Sequence, residues 1–240
     1  MGLLKKIAVA LLCLVVFLPI SQAPAGLFRR GGHGGSGSSD DNQRVQQGTA
    51  TGKYAASVRI SCTTENGGCW GSGVIVCWGG EIRIVTALHV VEGVKTIKIT
   101  ASNGQDYPAT VLATSDWDVA ILGVSTEIVG VEPAYLATED EVQSITTDAL
   151  ESCGFGGRGI FGINTGHLIG YFDKGYNTDE FADWLEIDGA ARRGDSGGPI
   201  FNSIGHVVGI VRASDFHSTV VGVQAGRLGK VLNETMNTSR

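Results

Sequence analysis

Ser196 lies in the run Gly194-Asp195-Ser196-Gly197-Gly198-Pro199. Glycine costs more backbone entropy to order than any other residue, so this density around one hydroxyl points to a tight turn or a close backbone approach. A serine hydroxyl is a poor nucleophile at neutral pH unless a neighbouring base takes its proton. That base is usually a histidine oriented by a carboxylate. The chain offers His33, His89, His167, His206 and His217. His89 stands out, because Thr86-Ala87-Leu88-His89-Val90-Val91 follows an apolar strand and begins a turn. Asp118 precedes the apolar run Val119 to Leu122, where backbone hydrogen bonds can hold an acid rigidly. Asp116 is the rival acid and reads as a turn cap. His206 reads as a hairpin-turn residue and His167 as the start of a strand. His217 sits in a loop that would border a cleft, and His33 between glycines reads as solvated.

The segments that must position these residues are short and rich in Val, Ile and Thr, with Gly, Asn and Asp between them. One series covers 54–62, 71–78, 81–88, 94–101, 107–114 and 118–125. A second covers 149–155, 166–172, 182–189, 197–203, 206–213 and 219–226. Short strands at this spacing predict an all-β sandwich or barrel. The stretch near 128–146 reads as a boundary between the two series. After it all, Leu228, Val231 and Leu232 could make a short closing helix. There is no fixed-period repeat, P-loop or dinucleotide fingerprint.

The N-terminus reads as an export signal. Lys5 and Lys6 precede the apolar run Ile7 to Ile20, and Ala23-Pro24-Ala25 gives a small-x-small cleavage pattern. The run is short of the roughly 20 residues of a spanning helix. The expected organisation is a signal peptide over 1–25, a disordered Gly/Ser-rich tether over 26–48 and a folded domain over 49–236. A secreted or periplasmic protein follows, without stable membrane insertion once the signal is cleaved. Cys62, Cys69, Cys77 and Cys153 would remain, an even count that permits disulfides in an exported chain. Cys62 and Cys69 flank a turn, so a cross-strand bridge is plausible. Cys77 and Cys153 could be a second pair or two buried thiols. A net charge of −6, with no basic cluster beyond Arg29-Arg30 and Arg192-Arg193, gives nucleic-acid binding little support. Oligomeric state is not legible.

Gly71 to Val76, Thr86 to Val91, Asp118 to Leu122 and Gly194 to Pro199 together resemble the motifs of the chymotrypsin-fold serine peptidases. The resemblance covers about residues 54–224, in the order His, Asp, Ser. It looks most like the compact bacterial HtrA-type branch, without a PDZ domain. It implies two antiparallel six-stranded β-barrels, barrel one about 51–128 and barrel two about 146–225, with a short C-terminal helix. It also implies an endopeptidase acting on polypeptide through an acyl-enzyme, with no metal or organic cofactor. Ser196 resembles the nucleophile, His89 the base and Asp118 the orienting acid, with an oxyanion hole from the N–H groups of Gly194 and Ser196. Ala190, Ser214 and Gly222 would line the primary substrate pocket, which has no acid at its floor and favours a small or medium apolar residue. Acidic preference through Arg193 or His217 is the runner-up.

In the trypsin branch a new N-terminus made by proteolysis pairs with the acid at the Asp195 position. No matching start exists in this chain, so an internal cation or backbone donors must serve. Arg158, Arg192, Arg193 and Arg212 are candidates, and the chain would be active without that cleavage. Two other classes remain open. One is a silent binding module on the same fold; the other is an esterase or acyltransferase using the same triad.

Overall fold

The computed structural model describes residues 46–240 except 66, 147, 174–181, 216–217 and 238–240. The expected signal peptide, nearly all of the tether, His33 and His217 lie outside the described residues.

The first series of strands closes a barrel. It comprises β1 apart (below) and then β2 (Ser57–Thr64), β3 (Gly67–Trp78), β4 (Glu81–Ala87), β5 (Thr96–Thr100), β6 (Asp106–Ser115) and β7 (Val119–Val124). Their order is β2-β3-β4-β7-β6-β5, and β5 pairs back onto β2. Alternation sets the inside: Val58, Ile60 and Cys62 are buried along β2, while Arg59, Ser61 and Thr63 are not. Val74, Ile84, Ile99 and Ile121 join them in one core.

The second series comprises β8 (Ala149–Gly154), β9 (Gly162–Phe172), β10 (Trp184–Asp188), β11 (Pro199–Phe201), β12 (Val207–Ser214) and β13 (Thr219–Gln224). The ring β8-β9-β10-β13-β12-β11 closes through β11 on β8. All pairings in both barrels are antiparallel, as the two runs of short strands predicted. Leu150, Leu185, Ile187, Ile200 and Val208 fill the second core.

Three features go beyond the sequence pattern. First, β1 (Gln46–Gln47) adds to β9 at the outside of barrel two, and the Gly48 N–H donates to the Phe161 carbonyl at 3.2 Å. The last residues of the expected tether are thus part of a sheet, held by main-chain groups that composition cannot signal. Second, the linker is stitched to both barrels: Ala134 N–H donates to Ile75 O and Ala137 N–H to Val207 O, each at 2.9 Å. It carries helix α2 (Glu139–Gln143), started by a Thr138–Glu141 capping box. His206 lies in the β11–β12 turn as expected, and its Nδ1 also reaches Glu141 Oε1 at 2.9 Å. Third, the closing helix α4 (Ala225–Asn237) runs 13 residues. Leu228, Val231 and Leu232 are fully buried, and the helix packs back on β6 and β7 of barrel one.

Candidate active site

His89 stands in the single-turn helix α1 (Leu88–Val91) at the end of β4. Asp118 starts β7 from the neighbouring loop. One Asp118 carboxylate oxygen accepts the His89 backbone N–H at 2.9 Å, and the other meets His89 Nδ1 at 2.8 Å. The Asp118 carbonyl accepts the Leu88 N–H at 3.0 Å. Asp118 adopts φ 66°, a left-handed conformation that few residues other than Gly, Asn and Asp tolerate. Such outliers persist only where their surroundings enforce them. Here main chain and carboxylate are both anchored to α1. Asp116 lies exposed on the turn before it.

Ser196 comes from the turn before β11, and both barrels hold that turn. Its carbonyl accepts the Ser72 N–H of β3 at 2.9 Å. The Gly197 N–H donates to Val211 O at 2.7 Å, and the Val211 N–H to Gly198 O at 2.8 Å. Ser72 Oγ donates to Gly194 O at 2.7 Å and accepts the Phe155 N–H at 2.8 Å. Two glycines are required by geometry. Gly194 has φ 96°, and a Cβ there would lie 2.6 Å from Trp70 Nε1. Gly197 has φ 81°, and a Cβ would collide with Thr86 Oγ1 and Ser72 O.

The buried acid of the motif has its partner inside the chain. Arg192 Nε donates to Asp195 Oδ2 at 3.1 Å and Nη2 to Oδ1 at 3.0 Å. The Arg192 N–H adds a bond to Oδ2 at 2.7 Å and the Gly156 N–H one to Oδ1 at 2.8 Å. Of the four arginines considered, Arg192 is therefore the one that pairs with Asp195. A short helical turn, α3 (Gly156–Gly159), supplies the second contact to this loop: the Gly157 N–H holds Arg193 O at 3.2 Å. A trans peptide points its N–H opposite its carbonyl, so the Gly194 N–H faces away from α3. Among the described residues, neither the Gly194 nor the Ser196 N–H has a protein acceptor.

The expected pocket residues are less well brought together. Ser214 Oγ donates to Thr219 O at 2.7 Å at the end of the β12–β13 hairpin. Ala190 is buried, with its N–H on Asn164 Oδ1 at 3.1 Å. Gly222 turns its bare face to the Ile200 side chain and the Ile210 carbonyl. Asn164 was not singled out by sequence reasoning, nor were Ser72 and Trp70, because each meets the site from a segment far along the chain. Arg212, one of the arginines considered for Asp195, lies instead beside His89 and Asp118. Its Nε lies 3.7 Å from Asp118 Oδ2, and its guanidinium stacks 4.9 Å over Trp184.

All four described cysteines are thiols. Cys62 and Cys69 stand directly opposite on β2 and β3, both reaching toward Val90 O. Burial, then the Cys69 thiol, pushes Cys62 up to about 12. Cys77 is exposed on β3 and Cys153 buried on β8, so these two do not pair with each other. Among the described residues no three His, Cys, Asp or Glu side chains gather at a point that could hold a metal ion.

Residues 71–210 match the trypsin-like peptidase domain, which takes in the His89, Asp118 and Ser196 segments together. The chain belongs to the trypsin-like peptidase family. A probable periplasmic serine endoprotease, DegP-like, of Chlamydia pneumoniae is 29% identical over 164 residues, 66% of this chain and 30% of that protein. A serine protease, HtrA-like, of Staphylococcus aureus is 31% identical over 162 residues, 60% of this chain and 20% of that protein. The peptidase chain thus spans about a third or less of these relatives. Among solved structures, the active form of the Rv3671c protease of M. tuberculosis superposes with TM-score 0.61 at 25% identity, over 75% of this chain and 81% of that one. The HtrA-type protease AlgW shares the fold with TM-score 0.65 at 20% identity, over 78% of this chain and 62% of that one.

Proposed function

We propose that this trypsin-like peptidase is an exported serine endopeptidase that cleaves polypeptide through an acyl-enzyme on Ser196. His89 takes the Ser196 proton during attack on the scissile carbonyl and returns it to the leaving amine. Asp118 fixes the ring and its tautomer, because Nδ1–H is committed to the carboxylate and Nε2 is left free for the hydroxyl. Gly194 and Ser196 N–H groups receive the charge that develops on the carbonyl oxygen; such donors contribute roughly 2.7–4 kcal/mol each.

The observation that carries this reading is the two-point grip of Asp118 on His89, at 2.9 and 2.8 Å, together with the Gly194 and Ser196 backbone N–H groups, which have no protein acceptor among the described residues. Turnover of an unfolded protein by wild type, with loss of about 10⁴-fold or more in Ser196→Ala, tests it. An active-site phosphonate should label wild type at Ser196 alone. Full activity in the alanine variant would overturn the mechanism.

Asp195 already holds a cation, so activity requires no new N-terminus. Chains beginning at Gly26 and at Gln46 should therefore turn over peptide equally; the later start keeps β1. A silent Gly26 form would make the intervening segment a pro-segment. Export rests on the Lys5 to Ala25 pattern and on relatives named as periplasmic. Among the described residues no helix is long and apolar enough to cross a membrane. Sequencing the secreted protein should give Gly26 as first residue, whereas Met1 retained in a membrane fraction would point to an anchor.

A further inference from the structure

A second cavity lies away from His89 and Ser196, where the N-terminal strap, barrel one and α3 meet. It holds about 300 Å³ and is lined by Arg59, Thr100, Ser102, Phe155, Gly159 and Phe161, with Gly48 of the strap at one side. That volume is at the lower end of small-ligand sites.

Arg59 is the feature that needs explaining. It points outward from β2, between Ser72 on β3 and Thr100 on β5, and is half-buried. Its Nε is buried without a hydrogen-bond acceptor. Among the described residues Arg59 forms no ion pair. Its guanidinium lies against the bare face of Gly159, where a Cβ would sit 3.0 Å from Nη1. A buried N–H donor without an acceptor is costly, which argues for an acceptor on this guanidinium in the working protein, and an anion suits its charge. The acid that feels the Arg59 charge is already engaged: Asp106 takes Lys98 Nζ and Thr100 Oγ1, each at 2.7 Å. Those two contacts, with a smaller effect from Arg59, hold the Asp106 carboxyl below its ordinary range.

The rest of the wall limits the ligand. Among the described residues one guanidinium is the only charged group lining the cavity, which suits a single negative charge. Its planar fork matches a carboxylate with two parallel hydrogen bonds. Phe155 and Phe161, with ring centroids 5.2 Å apart, offer an apolar surface for the body of the molecule. We propose that this cavity binds a monocarboxylate with an aromatic or branched apolar body, its carboxylate on Arg59. The same chemistry is offered by a free organic acid and by the last residue of a peptide. The occupant would lie against α3, the turn whose Gly156 and Gly157 N–H groups hold Asp195 and Arg193.

The test is a titration of the Ser196→Ala chain with 3-phenylpropanoate and, separately, with its primary amide. The acid should bind and the amide should not. Arg59→Gln should weaken the acid by about tenfold or more, and Arg59→Lys by less, because a charged hydrogen bond is lost in one and kept in part in the other. A peptide ending in phenylalanine, as free acid and as amide, separates the two sources: tighter binding than 3-phenylpropanoate assigns a chain terminus, and weaker binding a small acid. Equal binding of acid and amide, unchanged affinity in Arg59→Gln, or no binding of either acid overturns the proposal. Should Arg59→Gln fail to fold, a crystal of the Ser196→Ala chain soaked in 3-phenylpropanoate decides. A carboxylate within hydrogen-bond distance of Arg59 supports the site; one found only in the cleft near Arg212 sinks it.

Discussion

The two barrels hold the three proposed catalytic residues in different ways. Barrel one presents His89 through a single carboxylate, that of Asp118, 29 residues further along the chain and accepting two hydrogen bonds from it. Barrel two presents Ser196 on a turn fixed by main chain from β3, β12 and α3, with the buried Asp195–Arg192 pair beneath it. In the proposed mechanism the barrel-one anchor, Asp118, also belongs to the chemistry. The anchors of the Ser196 turn have no part in the proposed proton transfer. Damage should therefore separate: losing an anchor in barrel one removes rate, and losing one in barrel two removes stability first.

The largest effect should come from Asp118→Asn, which keeps the shape but favours the wrong His89 tautomer. Turnover should fall by about 10⁴-fold, by analogy with the template triad. The melting temperature should stay close to wild type. A large loss of stability would mean that Asp118 is also structural and would blur the contrast between the barrels.

Arg192→Ala probes the other side. Arg192 and Asp195 side chains are 11% and 8% exposed, so the variant leaves a carboxylate buried without its cation. Removing one partner of a buried pair costs about 3–5 kcal/mol, which denaturant unfolding would register. Adding Asp195→Asn should recover part of that loss, since a neutral amide is cheaper to bury. Wild-type stability in Arg192→Ala would show that the backbone donors alone hold Asp195.

The smallest effect is a shared one, at high pH. Burial pushes up the Cys62 thiol in barrel one, to about 12, and the Cys153 thiol in barrel two. Burial and then the Glu151 contact likewise raise Tyr54, which packs on Phe201. Groups raised in the folded state contribute stability that is complete below their unfolded values, 9.0 for the thiols, and is lost as pH climbs toward the folded ones. Melting temperature should thus be flat near neutrality and fall above about pH 9. Alkylation of Cys62 should stay slow until well above that pH, whereas exposed Cys77 should react first. Rapid labelling of Cys62 at pH 8 would contradict its burial.

The strands were legible because each is a short β-branched run with a period of two, and twelve such runs in two series can close as two barrels. His89, Asp118 and Ser196 were legible because each sits in a local motif, at a strand end or in a Gly-rich turn. The partner of Asp195 was not. Arg158, Arg192, Arg193 and Arg212 differ little by sequence, and only the fold of the loop turns Arg192 back onto the carboxylate three residues away. Gly222 is hard to place for a related reason: a glycine in a strand does not declare which face it opens, and here that face meets the Ile200 side chain. Ser72, Trp70 and Gly156 left no local trace, because each meets the Gly194–Gly197 turn from another strand or loop, far along the chain. By itself, the sequence determined the alternating strands, the helix-closing leucines and the types of reactive side chain, since all of these depend on neighbours within a few residues. The tertiary structure alone decided which arginine neutralises Asp195 and, among the described residues, which N–H groups are left open beside Ser196 and where Arg59 lies without an ion pair. Those depend on distances between segments up to a hundred or more residues apart, such as the 122 that separate Ser72 from Gly194.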